Sequence, residues 1–511
     1  MTTHVDVRRE VTAEAAPVLV ARRATRSAVW LIVIGFVALQ MAWITAVPPF
    51  RGSDEFDHAY RAAAVARGQW VAPPSDATRG TGAMVLVPPD IVAAAHAECS
   101  RLHYTTKADC SVPSVEHHGL VEMPSGAGRY NPVFYFVIGS AALPFHGSTA
   151  LYVMRFVTAG ICALFLGLAA WSTTRSRRGH APMVALLVAA TPVLVYSTAV
   201  AAPNGPEMAA ALALWASLLA LTRATESRQK LWLVAASSGA VLLTLRSLGP
   251  LWFALTLVAV AALVWRPRRT AEQLRACWRS TGMRRSAGLL MLAGLASGAW
   301  IMSQRSFQVS SGPKDVTSAP LMDTLKLIAP APVTWTFQSI AAFPYRDQAA
   351  PNIVYVVALL VFVCLLAAAF RFGDRTARIV LGGLVLAGLL IPIALTLATV
   401  SQYGVVWQGR YGLPFTLGVP MVAGYALDRA GQLRHLPAVV WAIVGTLFVL
   451  TQVPGLTNVS SNEHRSSPQA GTAAWWALPV WAVAVLATTG ALVMVWGAWR
   501  ATGVSVTAIE T

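Results

Sequence analysis

Residues 28–61 read AVWLIVIGFVALQMAWITAVPPFRGSDEFDHAYR. The first twenty carry no charge and are long enough to cross a hydrocarbon core as a helix. No small-residue cleavage site follows, so the segment reads as a retained span. The chain then changes character at once: Arg51–Arg61 holds three acids, one His and two Arg. Adjacent carboxylates such as Asp54 and Glu55 repel each other and lose hydration beside a bilayer, which makes this stretch the first place to look for chemistry.

The rest of the chain has the same apolar character. Of 511 residues, 56% are hydrophobic and 12% charged, roughly half the charge of a soluble domain. Apolar stretches fall near 28–47, 150–173, 182–201, 206–222, 231–246, 249–265, 287–304, 352–370, 377–400, 411–427, 436–454 and 475–498. The fold class is therefore an all-α polytopic membrane protein of about 12 transmembrane helices. With the N-terminus in the cytoplasm, most of the 39 Lys and Arg occupy short loops on that side, as in Arg22-Arg23 and Arg175–Arg178. The net charge of +17 is then a topology signal and not a nucleic-acid surface. It predicts a multi-pass plasma-membrane protein with both termini inside. Cytoplasmic tails cover 1–27 and 499–511, a membrane domain covers 28–498, and large external loops cover 48–149 and 305–351. Tyr130–Phe145 is apolar but short, with Pro near each end. Reading it as an interfacial or re-entrant helix keeps Arg175–Arg178 inside.

Five Cys occur. Cys99 and Cys110 share the first external loop, where a disulfide and two reduced thiols are both open. No zinc spacing appears. His96, His103, His117 and His118 read as solvated loop residues. Walker, dinucleotide, nucleophile-elbow and metalloprotease motifs are absent from the sequence.

Four segments carry candidate chemistry, each beside a plainer explanation. Ser53–Gln69 has helical spacing: Phe56, Tyr60, Ala63 and Ala64 form one stripe, with Asp54, His58 and Arg61 on another face. Ser53 suits an N-cap and Gly68 a C-cap, so the segment is expected to lie on the membrane as a short amphipathic helix. Asp54 could serve as a base with Glu55 and His58 tuning it; the plainer reading is acids capping a helix. Gln408-Gly409-Arg410-Tyr411 can clamp a phosphate through Arg410, or the Arg can simply reach the interface. Pro203-Asn204-Gly205-Pro206-Glu207 makes a tight turn with an acid at a helix start. Asn131-Pro132-Val133-Phe134-Tyr135 suits a helix near lipid, or an aromatic anchor.

Together, GSDEFDHAYRAAAVARG, NPVFYF, PNGPE and QGRYGLP resemble the bacterial domain-of-unknown-function-2142 membrane proteins, a family related to the GT-C glycosyltransferases. Val133 stands where that family commonly has a second Pro, and Asn204 where it commonly has an acid, leaving Glu207 as the carboxylate of that turn. The resemblance spans about 29–495. It implies a GT-C-like fold, an outward-facing site, a polyprenyl-phosphate sugar donor, and a glycan, lipid or protein acceptor of the cell envelope. In that setting Asp54 and Glu55 are the catalytic candidates, with Asp57, His58 and Arg61 as their support. Arg410, Gln408 and Tyr411 would hold the donor phosphate. Asn204, Glu207, Asn131 and Tyr135 would serve the acceptor or back up the site. Asp54, Glu55 and His58 are ligand types for a divalent metal, on which related enzymes differ; the reading leans against a tightly held ion. A lipid-linked sugar flippase and a non-catalytic envelope scaffold are the competing functions.

Overall fold

An apolar helix that is hydrophobic all round can face lipid on one side and other helices on the rest. The computed structural model describes residues 7–73, 82–99, 101, 116–117, 119–176, 179–223, 227–265, 280–306 and 321–503. In chain order it runs α1 (Val7–Ala46), α2 (Glu55–Ala66), β1 (Ala83–Val87), α3 (Pro89–Cys99), β2 (Glu116–His117), β3 (Leu120–Ser125), α4 (Pro132–Ala142) and α5 (Gly147–Ser176). Then come α6 (Ala181–Ala189), α7 (Pro192–Ser197), α8 (Asn204–Leu221), α9 (Arg228–Leu245), α10 (Gly249–Val264), α11 (Thr281–Ser303), α12 (Leu321–Ile328) and α13 (Ala331–Ile340). The remainder is α14 (Asn352–Phe372), α15 (Arg375–Tyr403), a 3-10 turn η1 (Gly409–Gly412), α16 (Leu413–Thr416), α17 (Gly418–Arg429), α18 (Ala438–Ser466) and α19 (Val480–Gly503).

Among the described residues, 7 helices are long and apolar enough to cross a membrane: Thr25–Ala46, Gly147–Arg175, Thr281–Ser303, Asn352–Phe372, Arg375–Val400, Ala438–Ser466 and Val480–Gly503. The other apolar stretches are built differently. Residues 182–201 divide into α6 and α7, with Pro192 opening the second piece; Pro has no N–H to carry a helix ladder through. Residues 411–427 divide among η1, α16 and α17. α8 is an unbroken helix of 18 residues, every one buried, so it stands as an internal post that lipid does not touch. Helices α1 and α19 lie along each other over glycines. A Cβ added at Gly35 would sit 2.5 Å from the Gly490 carbonyl oxygen, so only Gly permits this spacing.

The first loop has a small core of its own. Its sheet has the order β1-β3-β2, antiparallel throughout, with Val85 opposite Met123. α2 packs against the sheet and α3 and α4 pack against α2, burying Phe56, Tyr60, Val87, Ile91, Met123 and Ile138. Here the structure corrects one expectation: α2 does not lie on the membrane. Every residue from Glu55 to Val65 is buried. Ala59, Ala62, Ala63 and Ala64 let neighbours approach closely, and the polar side chains each find specific partners. The exposed apolar face belongs to α4, through Val133, Phe136 and Val137, with the Trp70 ring 5.4 Å from that of Phe136. An 11-residue helix is about half the length needed to cross, in keeping with an interfacial role.

Buried charges fasten this loop to the rest. Arg51 Nε donates to Glu463 at 3.1 Å, and its Nη2 reaches Asp347. Arg101 Nη1 bridges Glu98 at 2.8 Å and Glu463 at 2.9 Å. Two loops and the end of α18 thus meet in one network, and breaking one partner of such a network leaves another charge buried without compensation. Cys99 is disulfide-bonded; Cys110, the candidate partner named from sequence, lies outside the described residues.

Candidate active site

From sequence, the cap of α2 belongs at Ser53. The structure puts it at Asp54, whose backbone is left-handed (φ 55°, ψ 18°) and whose side chain makes no capping bond. Asp and Asn tolerate that conformation better than most residues. Ser53 is occupied elsewhere: its hydroxyl donates to the Pro344 carbonyl and its amide to the Tyr196 hydroxyl at 3.2 Å. The Asp54 carboxylate turns away from the helix and accepts from Arg410 Nη2 at 2.7 Å. Its side chain remains 36% exposed, while that of Arg410 is 5% exposed.

Glu55, one residue on, is wholly enclosed (0% exposed). Arg155 grips it side-on, Nε to Oε1 at 2.7 Å and Nη2 to Oε2 at 2.6 Å. The amides of Gly52 and Ala201 donate to the same carboxylate at 3.1 and 3.0 Å. Arg155 spends its other N–H groups on the carbonyls of Val47 and Pro48, 2.8 and 2.7 Å away, at the end of α1. A cation there suits the negative end of the helix dipole. Both Glu55 oxygens are thus taken, and the pairing ties the segment that carries Asp54 to α1 and α5.

The supporting residues divide in the same way. Asp57 accepts from the Gly126 amide at 2.7 Å and Arg61 donates to the carbonyls of Gln69 and Trp70 at 3.1 and 2.6 Å, so both anchor loop backbone. Burial lowers Arg61 to about 10. His58 is different. Its Nδ1 lies 2.8 Å from the Tyr135 hydroxyl, and the two rings stack at 5.9 Å. Burial lowers its pKa to about 3, with Asp54 raising it and Arg246 and Arg410 lowering it further, so the imidazole is neutral at pH 7. Asn131 caps α4 by accepting from the Val133 amide at 3.1 Å.

Arg246, at the end of α9, is the member that sequence reading missed. It donates to Asn204 Oδ1 at 2.7 Å and lies 3.5 Å from Glu207 Oε2. Its guanidinium also sits over the Tyr411 ring, 4.5 Å from the centroid, while that of Arg410 is 5.5 Å from the same ring. Tyr411 therefore joins the two arginines, and the PNGPE turn reaches the site through Arg246. The available signal was a lone Arg ending an apolar stretch, where a charge is costly without a partner.

Just beyond this cluster is a cavity of about 400 Å³ among α6, α13, α14, α15, α17 and α18. Leu187, Trp335, Phe362, Leu389, Trp407 and Phe448 give it an apolar lining, and Gly409 and Gly412, flanking Arg410-Tyr411, form part of its wall. Gly409 is required: a Cβ there would come within 2.0 Å of the Trp335 carbonyl oxygen. Its amide donates to Gln338 at 3.0 Å, pinning η1 against α13. Gln408 is buried, and its Oε1 has no partner among the described residues.

The residues do not fit a bound divalent metal. Among the described residues no three of His, Cys, Asp or Glu gather as a ligand group. Asp54, Glu55 and His58 instead face Arg410, Arg155 and Tyr135.

The family model described as a predicted membrane protein, DUF2142, matches residues 36–419, and the chain belongs to that family. No curated protein matches it. Among solved structures, ArnT from Cupriavidus metallidurans bound to undecaprenyl phosphate is similar at 14% identity and a TM-score of 0.41, over 91% of this chain and 76% of that one.

Proposed function

We propose that this member of the DUF2142 family is a GT-C-type glycosyltransferase. It would move a sugar from a polyprenyl-phosphate donor to an envelope acceptor on the external face, by a single inverting displacement. The observation that carries this reading is the join at η1. Arg410 of this turn meets the partly exposed Asp54, and Gly409 and Gly412 of the same turn wall an apolar cavity. A lipid phosphate needs both environments within one short span of the chain: a cation for its headgroup and an apolar slot for its tail.

In this reading Asp54 takes the proton of an acceptor hydroxyl as that oxygen attacks the anomeric carbon. The bond from that carbon to the phosphate oxygen breaks, and the polyprenyl phosphate leaves with its new charge neutralised by Arg410. The departing phosphate is stable as an anion, so no second carboxyl need protonate it, unlike glycoside hydrolysis. Glu55 serves through Arg155 as a positioning group. Neutral His58 with Tyr135, and Arg246 with Asn204 and Glu207, line the acceptor side.

The test is glycosyl transfer by the purified chain in nanodiscs, with radiolabelled polyprenyl-phosphate sugars and an envelope extract as acceptor. Transfer by the wild type that disappears in Asp54→Asn is the expected result. Equal activity in both proteins removes Asp54 as the base. Donor binding without transfer in either points to a flippase or a scaffold.

A further inference from the structure

We propose that the Asp54–Arg410 ion pair is a latch that the donor's phosphate opens, so that the base is released only once the donor is in place. This rests on the reading of the site given above. The argument lies in how the guanidinium is used. A side-on Arg pairs an anion through Nε and Nη2 together, the fork geometry that makes such pairs strong. Arg155 does this with Glu55 through both atoms. Arg410 gives Asp54 only Nη2. Its Nε, on the same edge, is buried and has no partner among the described residues. Asp54 thus occupies half of a two-pronged site and leaves the other prong idle.

A phosphate has oxygens enough to take both prongs and exceeds a singly bonded carboxylate as a ligand for that edge. In taking them it displaces Asp54. While the pair is closed, Arg410 holds an Asp54 oxygen, which is then not free to meet an acceptor that arrives early. The backbone permits the release: Asp54 sits at a helix start with its side chain 36% exposed and no other hydrogen bond to its carboxylate among the described residues. Arg410 stays put, buried against Tyr411 on the short turn that Gln338 pins.

The latch makes a prediction that a simple binding role for Asp54 does not: removing the carboxylate should tighten phosphate binding while transfer is lost. The full chain in nanodiscs is titrated with a short-chain polyprenyl monophosphate, and separately with inorganic phosphate as a headgroup-only probe. Dissociation constants are read from tryptophan fluorescence. Asp54→Asn is expected to bind the lipid phosphate about fivefold more tightly than wild type, and Arg410→Gln to lose most of the binding. A similar gain for inorganic phosphate assigns the competition to the headgroup; a gain confined to the lipid probe would show the tail, not the Arg410 edge, to be responsible and overturn the latch. Unchanged or weaker binding by Asp54→Asn, with Arg410→Gln still defective, overturns the latch and leaves the transferase reading standing. Wild type that binds neither probe, or Arg410→Gln that binds normally, removes both. Asp54→Gly, which suits the left-handed backbone, serves as the second variant should the Asn form misfold.

Discussion

Glu55 and Asp54 each meet one guanidinium, and the two pairs differ in how much of it they use. Glu55 takes both prongs of Arg155 and two backbone amides, and is sealed from water. Asp54 takes one prong of Arg410 and remains partly open. The same functional group, one residue apart, is a rivet in one case and, in the proposed reading, the reactive end in the other. Burial and completeness of pairing separate structural acids from chemical ones here, where residue type does not.

The largest effect that would break this comparison comes from the rivet. Glu55→Gln leaves the Arg155 guanidinium buried beside a neutral amide, a change that costs about 3–5 kcal/mol. The expected outcome is loss of monodisperse protein in detergent and a collapsed thermal transition. A Glu55→Gln protein that folds normally but fails to transfer sugar would return Glu55 to the catalytic group. Next comes Asp54→Asn, which keeps the left-handed turn and the shape of the side chain. Its melting temperature should stay near that of wild type, while transfer falls about 100-fold or more; a large loss of stability instead would make Asp54 a second rivet. Arg410→Lys, which keeps the charge but not the fork, should weaken donor binding about tenfold in the same nanodisc titration. Unchanged affinity would mean that point charge alone suffices.

A separate effect is one of pH. His58 has a folded pKa of about 3, below its unfolded value near 6.5. The unfolded chain therefore binds a proton between those limits that the folded one does not. Stability from this residue is full above about pH 6.5 and is lost as pH falls, at about 1.4 kcal/mol per unit. Thermal melts from pH 7 to 4.5 should fall less steeply for His58→Gln than for wild type; parallel curves would show that His58 is already charged in the fold.

Much of this was legible in the sequence, and the limits have physical causes. The apolar stretches gave the helical membrane class, and Asp54 and Arg410 stood out as charges where charge is costly. Their pairing across 356 residues of chain leaves no local mark. Glu55 looked chemical because its partner, Arg155, sits inside an apolar stretch, though a lone intramembrane Arg is itself a sign that a buried acid must exist somewhere. The placement of α2 failed for a related reason. Periodicity finds faces, but a helix of small residues whose polar groups each have a private partner can be covered on every face. Pro192 and Pro414 each open a new helical piece inside a stretch that hydropathy alone reads as one span.

The network around Arg51 has a consequence for how the molecule is made. Arg51 leaves the ribosome 412 residues before Glu463, the carboxylate that holds it. Throughout that interval the segment bearing Asp54 lacks this anchor, although Arg155, Asp347 and Arg410 precede Glu463 in the chain. The Trp475 indole, which donates to the Thr45 carbonyl at 3.0 Å, and the glycine seam between α1 and α19 are also completed late. The surroundings of Asp54 are therefore completed only after α18 and α19 have been made. A nascent chain cut short before α18 would carry every candidate catalytic residue and still lack the brace that holds them in register.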